Sequence, residues 1–211
     1  MSRPAAAPGD IVVLAGTNGA GKSSVAGAAL ERQGGVFYNP DRATRAYLDR
    51  GLSLPDANSR AWHRGVRQLE RAIRDGTSYA FETTLGGRSI TRILLGAAAQ
   101  GRSVRIWYVG LASPELHIER VRARVAAGGH DIPEEKIRER WNSSRKNLIR
   151  LLPHLRELAL FDNSRDVDIS RGEAPRPERL LHMKDGEIEW VTDPRTVPAW
   201  SKPIIQAALS A

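Results

Sequence analysis

Asp10-Ile-Val-Val-Leu-Ala-Gly-Thr-Asn-Gly-Ala-Gly-Lys-Ser-Ser24 decides how the rest of the chain is read. Within it stands Gly16-x-x-x-x-Gly21-Lys22-Ser23, the pattern that cradles phosphate. Gly16, Gly19 and Gly21 admit backbone conformations closed to other residues, so several N–H groups can converge on one anion. Lys22 adds a mobile positive charge for the β- and γ-phosphates, and Ser23 a hydroxyl for Mg2+. Thr17, Asn18, Ala20 and Ser24 complete the loop that would surround a nucleotide. Upstream, Ile11 to Ala15 is a short unbroken apolar run, the signature of a buried parallel strand. Downstream, Lys22 to Gln33 predicts an Ala-rich helix stopped at Gly34-Gly35, with its positive dipole end on the same anion. Strand, glycine loop and helix are the context the pattern requires.

Outward from this unit, strands and helices alternate. Gly35 to Asn39 predicts a second strand, and Pro40 opens a helix over Asp41 to Arg50. Pro55 to Asp75 carries Ala57, Ala61, Val66, Leu69 and Ile73 near helical spacing. Ser78 to Phe81 predicts a third strand ending at Glu82, Ser89 to Gln100 a helix, and Arg102 to Gly110 a fourth strand rich in β-branched and aromatic residues. Ser113-Pro114 starts a helix running to about Ala127, and Gly128-Gly129 breaks it. A further helix starts near Pro133, with Ile137, Trp141, Leu148, Leu152 and Leu155 on one stripe. Leu158 to Phe161 predicts a fifth strand, Arg179 to Val191 a hairpin around Asp185-Gly186, and Pro198 to Leu209 a closing helix.

The alternation predicts an α/β fold, a parallel sheet covered on both faces. In such sheets ligands lie beyond the carboxyl ends of the strands. That rule selects the phosphate loop, Asn39-Pro40-Asp41 and Glu82-Thr83-Thr84. A carboxylate at Asp41 can orient an acceptor hydroxyl and take its proton late in phosphoryl transfer, although an acid there also suits a helix N-terminus. Glu82 suits either an acceptor's hydroxyls or the water shell of Mg2+. An apolar strand ending in an Asp for the metal is not obvious elsewhere, and Tyr108-Val109-Gly110 ends the fourth strand without an acid, so Mg2+ would rely on Ser23, phosphate oxygens, water, and Asp41 or Glu82. Arginines gather around Gly128-Gly129, and Arg124 and Arg140 are the candidates for a lid that neutralises polyphosphate. His63, His117, His154 and His182 are isolated, without metal-ligand spacing. His130, at the break between the lid helices, suits a ligand contact or an ordinary turn contact. The five tryptophans suit packing better than base stacking.

With 211 residues, the chain has room for one domain with an inserted lid: a loose tail over 1–9, a core over 10–170 with the lid at about 113–150, and an extension over 171–211 packed on the core. It has no cysteine, which excludes disulfides, thiolate metal sites and Cys nucleophiles. The longest apolar runs are too short for a bilayer and the N-terminus lacks a signal-peptide core, so the expected compartment is the cytoplasm, with no membrane partner. The net charge of +8 is carried mostly by Arg. It is not interleaved with aromatics, so a nucleic-acid surface is not indicated.

These segments together resemble the zeta-toxin family of P-loop kinases. The matching stretches are Ala15 to Ser24, Asn39-Pro40-Asp41, Phe81-Glu-Thr-Thr84 and Gly128-Gly-His-Asp-Ile-Pro133, extended by Arg120 to Val125, Ser144-x-x-Asn147-Leu148 and Phe161-Asp-Asn-Ser164. The resemblance covers about residues 10 to 165. It implies a three-layer kinase-like P-loop NTPase fold, ATP or GTP with Mg2+ as cofactors, and phosphorylation of a sugar hydroxyl in UDP-N-acetylglucosamine. By resemblance, Lys22 and Ser23 are the loop pair, Asp41 the catalytic acid, and Asn39, Asp41, Glu82 and Thr84 the acceptor-binding set. Arg120 or Arg124, and Arg138 or Arg140, match the two arginines on the γ-phosphate. A small helical antitoxin is the implied partner; the first ten residues are too short to supply it internally. The Gly128-Gly129-His130 turn departs from the best-known toxins. Two other readings stay open: a nucleic-acid or tRNA kinase, and a nucleotide-binding module without catalysis.

Overall fold

The computed structural model describes residues 9–23, 37–165 and 177–210. Seven strands form one sheet: β1 (Ile11–Ala15), β2 (Phe37–Tyr38), β3 (Tyr79–Thr83), β4 (Val104–Gly110), β5 (Glu157–Asp162), β6 (Glu178–Lys184) and β7 (Glu187–Val191). Their spatial order is β2-β3-β1-β4-β5-β6-β7. The first five run parallel, as the apolar runs predict. β6 and β7 run antiparallel, so the sheet is mixed rather than wholly parallel. The predicted hairpin forms as read, with Asp185 and Gly186 both at positive φ, as a two-residue turn between twisted strands requires. It extends the sheet, Leu158 to Asp162 of β5 pairing with Met183 to Glu178 of β6.

Six helices flank the sheet among the described residues: α1 (Pro40–Leu48), α2 (Leu54–Asp75), α3 (Arg88–Ala99), α4 (Pro114–Ala126), α5 (Glu134–Leu151) and α6 (Lys202–Leu209). Their starts follow from local chemistry. Asn39, Ser53 and Ser113 accept from the backbone N–H groups of Arg42, Asp56 and Leu116, each just ahead of a proline in the first turn. The long helix predicted past Pro133 stops at Leu151, and Leu152–His154 tighten into a 3-10 turn that delivers the chain to β5. The helix predicted over 22–33 and Ser24 lie largely outside the described residues.

The central strands β1 and β4 are almost wholly buried, Ile11, Val13, Ile106 and Val109 at 0% exposure. One cluster joins them to Leu94 of α3, Leu148 of α5, and Trp200, Ile204 and Ile205 at the start of α6. The connection leaving β1 leads past β3 to the β2 edge, whereas the one leaving β3 leads past β1 to β4. Crossovers departing in opposite directions leave a crevice at the carboxyl ends of β1 and β3, where α/β sheets bind ligands. Among the described residues no helix is long and apolar enough to cross a membrane.

Candidate active site

The loop after β1 turns sharply because Gly16 sits at φ 141°. A Cβ there would lie 2.1 Å from the carbonyl oxygen of Val109 on β4, so only glycine fits. The loop is propped from below. Asn163, just past β5, donates from Nδ2 to the Ala20 carbonyl at 2.9 Å. His117 of α4 donates from Nδ1 to the Asn18 carbonyl at 2.7 Å. Burial pulls the His117 pKa down to about 4, helped by the nearby charges of Lys22, Arg120 and Arg145. The imidazole is therefore neutral near pH 7 and its Nδ1 carries the hydrogen.

Lys22 is buried. Its Nζ donates to the Thr17 carbonyl at 3.3 Å and lies 3.4 Å from Glu82 Oε1. The other oxygen of Glu82 accepts from Ser23 Oγ at 2.7 Å and from Asn39 Nδ2 at 3.0 Å. Asn39 Nδ2 also lies 3.2 Å from Ser23 Oγ, which accepts from it, while Asn39 Oδ1 caps α1. Glu82 belongs to β3, in register with Leu14 of the neighbouring β1. An acid on the strand beside the phosphate loop, bonded to the loop hydroxyl, occupies the position that the sequence could not assign to any Asp. Of the two acids considered for the metal, the structure brings Glu82, not Asp41, to Ser23.

Asp41 lies in the first turn of α1, across the crevice. Arg124 Nη1 is 3.4 Å from its Oδ2 and His130 Nε2 is 3.8 Å from its Oδ1. Arg140 reaches the phosphate loop instead, donating to Asn18 Oδ1 at 2.8 Å. Burial draws its guanidinium below the ordinary arginine pKa, opposed by Glu139 and Asp41, and arginine remains charged at any working pH. The other two arginines are engaged elsewhere. Arg120 donates to the Asn163 carbonyl, and Arg138 pairs with Glu115. Thr84 takes the Gly86 N–H on its hydroxyl, and Asn147 of α5 donates to the Leu85 carbonyl at 2.8 Å, fixing the turn after β3.

These groups surround a cavity of about 380 Å³. Lys22, Glu82 and Arg140 line its donor side, Asp41 and His130 stand opposite, and Trp62, Val66 and Ile90 give it an apolar wall. Trp62 corrects the packing role expected of it, since it is 45% exposed. His117 and Asn163 escaped residue-by-residue reading, because each meets the loop only after folding. The strand-end rule, applied to β5, would have pointed to Asn163. The donor set at Ser23 and Glu82 is hard oxygen, which fits Mg2+. Among the described residues no group of three or more His, Cys, Asp or Glu could hold a metal, so such an ion would take most of its ligands from phosphate and water.

A family model, the AAA domain (AAA_33), matches residues 11–150. The chain belongs to that AAA domain family. The matched span holds the phosphate loop, Asp41, Glu82, Arg124 and Arg140. A protein of Haemophilus influenzae, described only as uncharacterized, is 27% identical to this AAA domain over 130 residues, covering 62% of this chain and 91% of that protein. Solved structures share the fold. A chain of the AvrRxo1-ORF1:AvrRxo1-ORF2 complex with sulphate ions superimposes with a TM-score of 0.65 at 16% identity, covering 95% of this chain. The same complex with ATP gives 0.64 at 17% identity, again over 95% of this chain. This chain spans 63% of the length of those structures. A chain of the PezAT chromosomal toxin-antitoxin system of Streptococcus pneumoniae gives 0.52 at 17% identity, covering 75% of this chain and 70% of that one. The family is that of the AAA domain, and the fold is P-loop kinase-like.

Proposed function

We propose that this AAA domain transfers the γ-phosphoryl group of ATP or GTP to a hydroxyl of a small acceptor, of the nucleotide-sugar class exemplified by UDP-N-acetylglucosamine. The observation that carries the reading is the Glu82 carboxylate, which joins Lys22, Ser23 and Asn39 at the crevice, with Asp41 on the same cavity. Lys22 and the loop N–H groups hold the β- and γ-phosphates. Bound Mg2+ supplies charge neutralisation to the transferring phosphoryl group, and Ser23 with Glu82 would hold it. Asp41 orients the acceptor hydroxyl. As the acceptor O–P bond forms and the bond to the leaving diphosphate breaks, Asp41 takes the hydroxyl proton. Arg140, beside Asn18, neutralises phosphate charge.

The motif resemblance to zeta toxins supports the sugar acceptor. The likeness to a chain of the PezAT toxin-antitoxin system supports a toxin held by an antitoxin. Purified protein with Mg2+ and ATP should release ADP faster when UDP-N-acetylglucosamine is added, and a species heavier by one phosphoryl group should appear in mass spectra. Lys22→Ala and Asp41→Asn should abolish that species. If a panel of UDP-sugars leaves hydrolysis unchanged and yields no such species, the acceptor class is wrong. If labelled phosphate appears on RNA ends instead, the chain is a nucleic-acid kinase.

A further inference from the structure

Arg140 lines the cavity, whereas Arg124 meets it only through Asp41 and His130, which do line it. Arg140, on α5, has its Nη1 2.8 Å from Asn18 Oδ1 of the phosphate loop. Arg124, on α4, turns to the opposite wall. Its Nη1 lies 3.4 Å from Asp41 Oδ2 and its Nη2 donates to the His130 carbonyl at 3.3 Å. One guanidinium therefore ties the first turn of α1 to the segment that follows α4. The imidazole of the same His130 stands 3.8 Å from the other Asp41 oxygen.

The local backbone is shaped to put Arg124 there. Gly128 ends α4 at φ 88°, its N–H bonded to the Val125 carbonyl, while the Gly129 N–H bonds to the Arg124 carbonyl, a left-handed helix stop. A Cβ on Gly129 would lie 2.9 Å from Arg124 Cγ and 2.9 Å from the Arg124 carbonyl oxygen. The arginine stem thus runs in space that only glycine leaves open at 129. The pair of glycines that breaks the helix seats this side chain.

We infer that the two arginines divide the reaction between them: Arg140 is the donor-side cation, and Arg124, backed by His130, is an acceptor-side positioning residue that holds the Asp41 carboxylate in place. The inference rests on the proposed phosphoryl transfer and departs from the expectation that both arginines meet the γ-phosphate. A guanidinium fixed at two points orients a carboxylate more firmly than a single ammonium can. An exposed carboxylate near the start of a helix would otherwise sample several rotamers, and misplacement of the group that receives the proton slows transfer.

Binding of ADP alone and of ADP with aluminium fluoride, a planar mimic of the transferring phosphoryl group, separates the two roles without needing the natural acceptor. Isothermal titration with Mg2+ and full-length protein would compare wild type, Arg124→Ala, Arg140→Ala and Gly129→Ala. Arg140→Ala should lose the preference for the mimic over ADP by on the order of a hundredfold. Arg124→Ala should keep that preference within about threefold of wild type, yet cut product formation from UDP-N-acetylglucosamine by roughly tenfold or more, in kcat rather than in the KM for ATP. In the Asp41→Asn background, where no product forms, adding Arg140→Ala should still cost the full mimic preference, whereas adding Arg124→Ala should leave it within about threefold. Gly129→Ala should follow Arg124→Ala, and circular dichroism would confirm that both are folded. A loss of mimic preference in Arg124→Ala as large as that in Arg140→Ala overturns the division alone. A wild-type chain with no preference for the mimic overturns the phosphoryl-transfer reading, and the inference with it.

Discussion

Ser23 Oγ donates to Glu82 Oε2 at 2.7 Å, joining the phosphate loop to the third strand across the crevice that a nucleotide would enter. The same carboxylate holds Lys22, which is 6% exposed. Without nucleotide, Glu82 thus does for Lys22 what phosphate would do with nucleotide bound. Glu82→Gln keeps the shape and removes the charge. It should destabilise the free protein by about 3 kcal/mol, the cost of a buried cation left without its partner. It should also widen the thermal shift produced by ATP, because phosphate then restores a lost counter-charge. Its phosphotransfer rate should fall on the order of a hundredfold, with a higher Mg2+ concentration needed for half-maximal rate. Differential scanning fluorimetry with and without ATP, and a Mg2+ titration of initial rates, measure both effects.

His117 gives a pH prediction. Its pKa falls to about 4 in the folded chain, against about 6.5 when unfolded. Between these values the unfolded chain binds a proton that the folded chain refuses, so stability is complete above about pH 6.5 and declines as pH falls toward 4. The contribution is on the order of 3 kcal/mol. His117→Asn keeps a donor for the Asn18 carbonyl and cannot titrate. Urea unfolding at pH 7 and pH 5 should show a smaller loss for the variant than for wild type, and equal losses would remove the histidine from the account.

At Gly16 a methyl group would meet the Val109 carbonyl, a backbone atom that cannot rotate away. Gly16→Ala also places an L side chain at φ 141°. It should cost about 3 kcal/mol or more and abolish nucleotide binding, both measurable by chemical denaturation and by titration with a fluorescent ADP.

Trp200 lies at 3% exposure against the central sheet, over the Tyr108 ring, and its Nε1 donates to Asp162 Oδ1 at 3.0 Å. The next residue is Asn163, which props Ala20. Trp200→Ala should cost about 3–5 kcal/mol and weaken nucleotide affinity from a distance. Unfolding and nucleotide titrations on the same variant would show the two losses together.

Trp62 should behave in the opposite way. Nearly half exposed, it contributes little to the core. Trp62→Ala should change stability by less than about 1 kcal/mol while raising the acceptor KM roughly tenfold and leaving the KM for ATP within twofold or so.

Much of this architecture is written in local patterns. The apolar run Ile11 to Ala15, the Ser-Pro helix starts and the Asp185-Gly186 turn all form as their residues dictate, because each depends on neighbours in the chain. The strand-end rule also placed Asn39, Asp41 and Glu82 around one crevice before any coordinates. What stayed hidden depends on pairing between distant segments. Nothing in residues 178–191 tells that the hairpin joins β5 edge to edge. Nothing around Glu82 tells that β3 lies beside β1, which is what makes it the acid on Ser23. In the sequence His117 is an isolated histidine and Trp62 one of five tryptophans suited to packing, and only the folded chain separates the buried imidazole under the loop from the indole at the cavity wall.

Most of that wall belongs to α2, through Trp62 and Val66, and α2 supplies none of the bonds among Lys22, Glu82, Ser23 and Asn39. Under the proposed transfer, the cavity face of α2 can be substituted without touching the residues that hold the nucleotide. If the proposed acceptor lies against Trp62 and Val66, that face of α2 is the place for selection, or an engineer, to look for new acceptors.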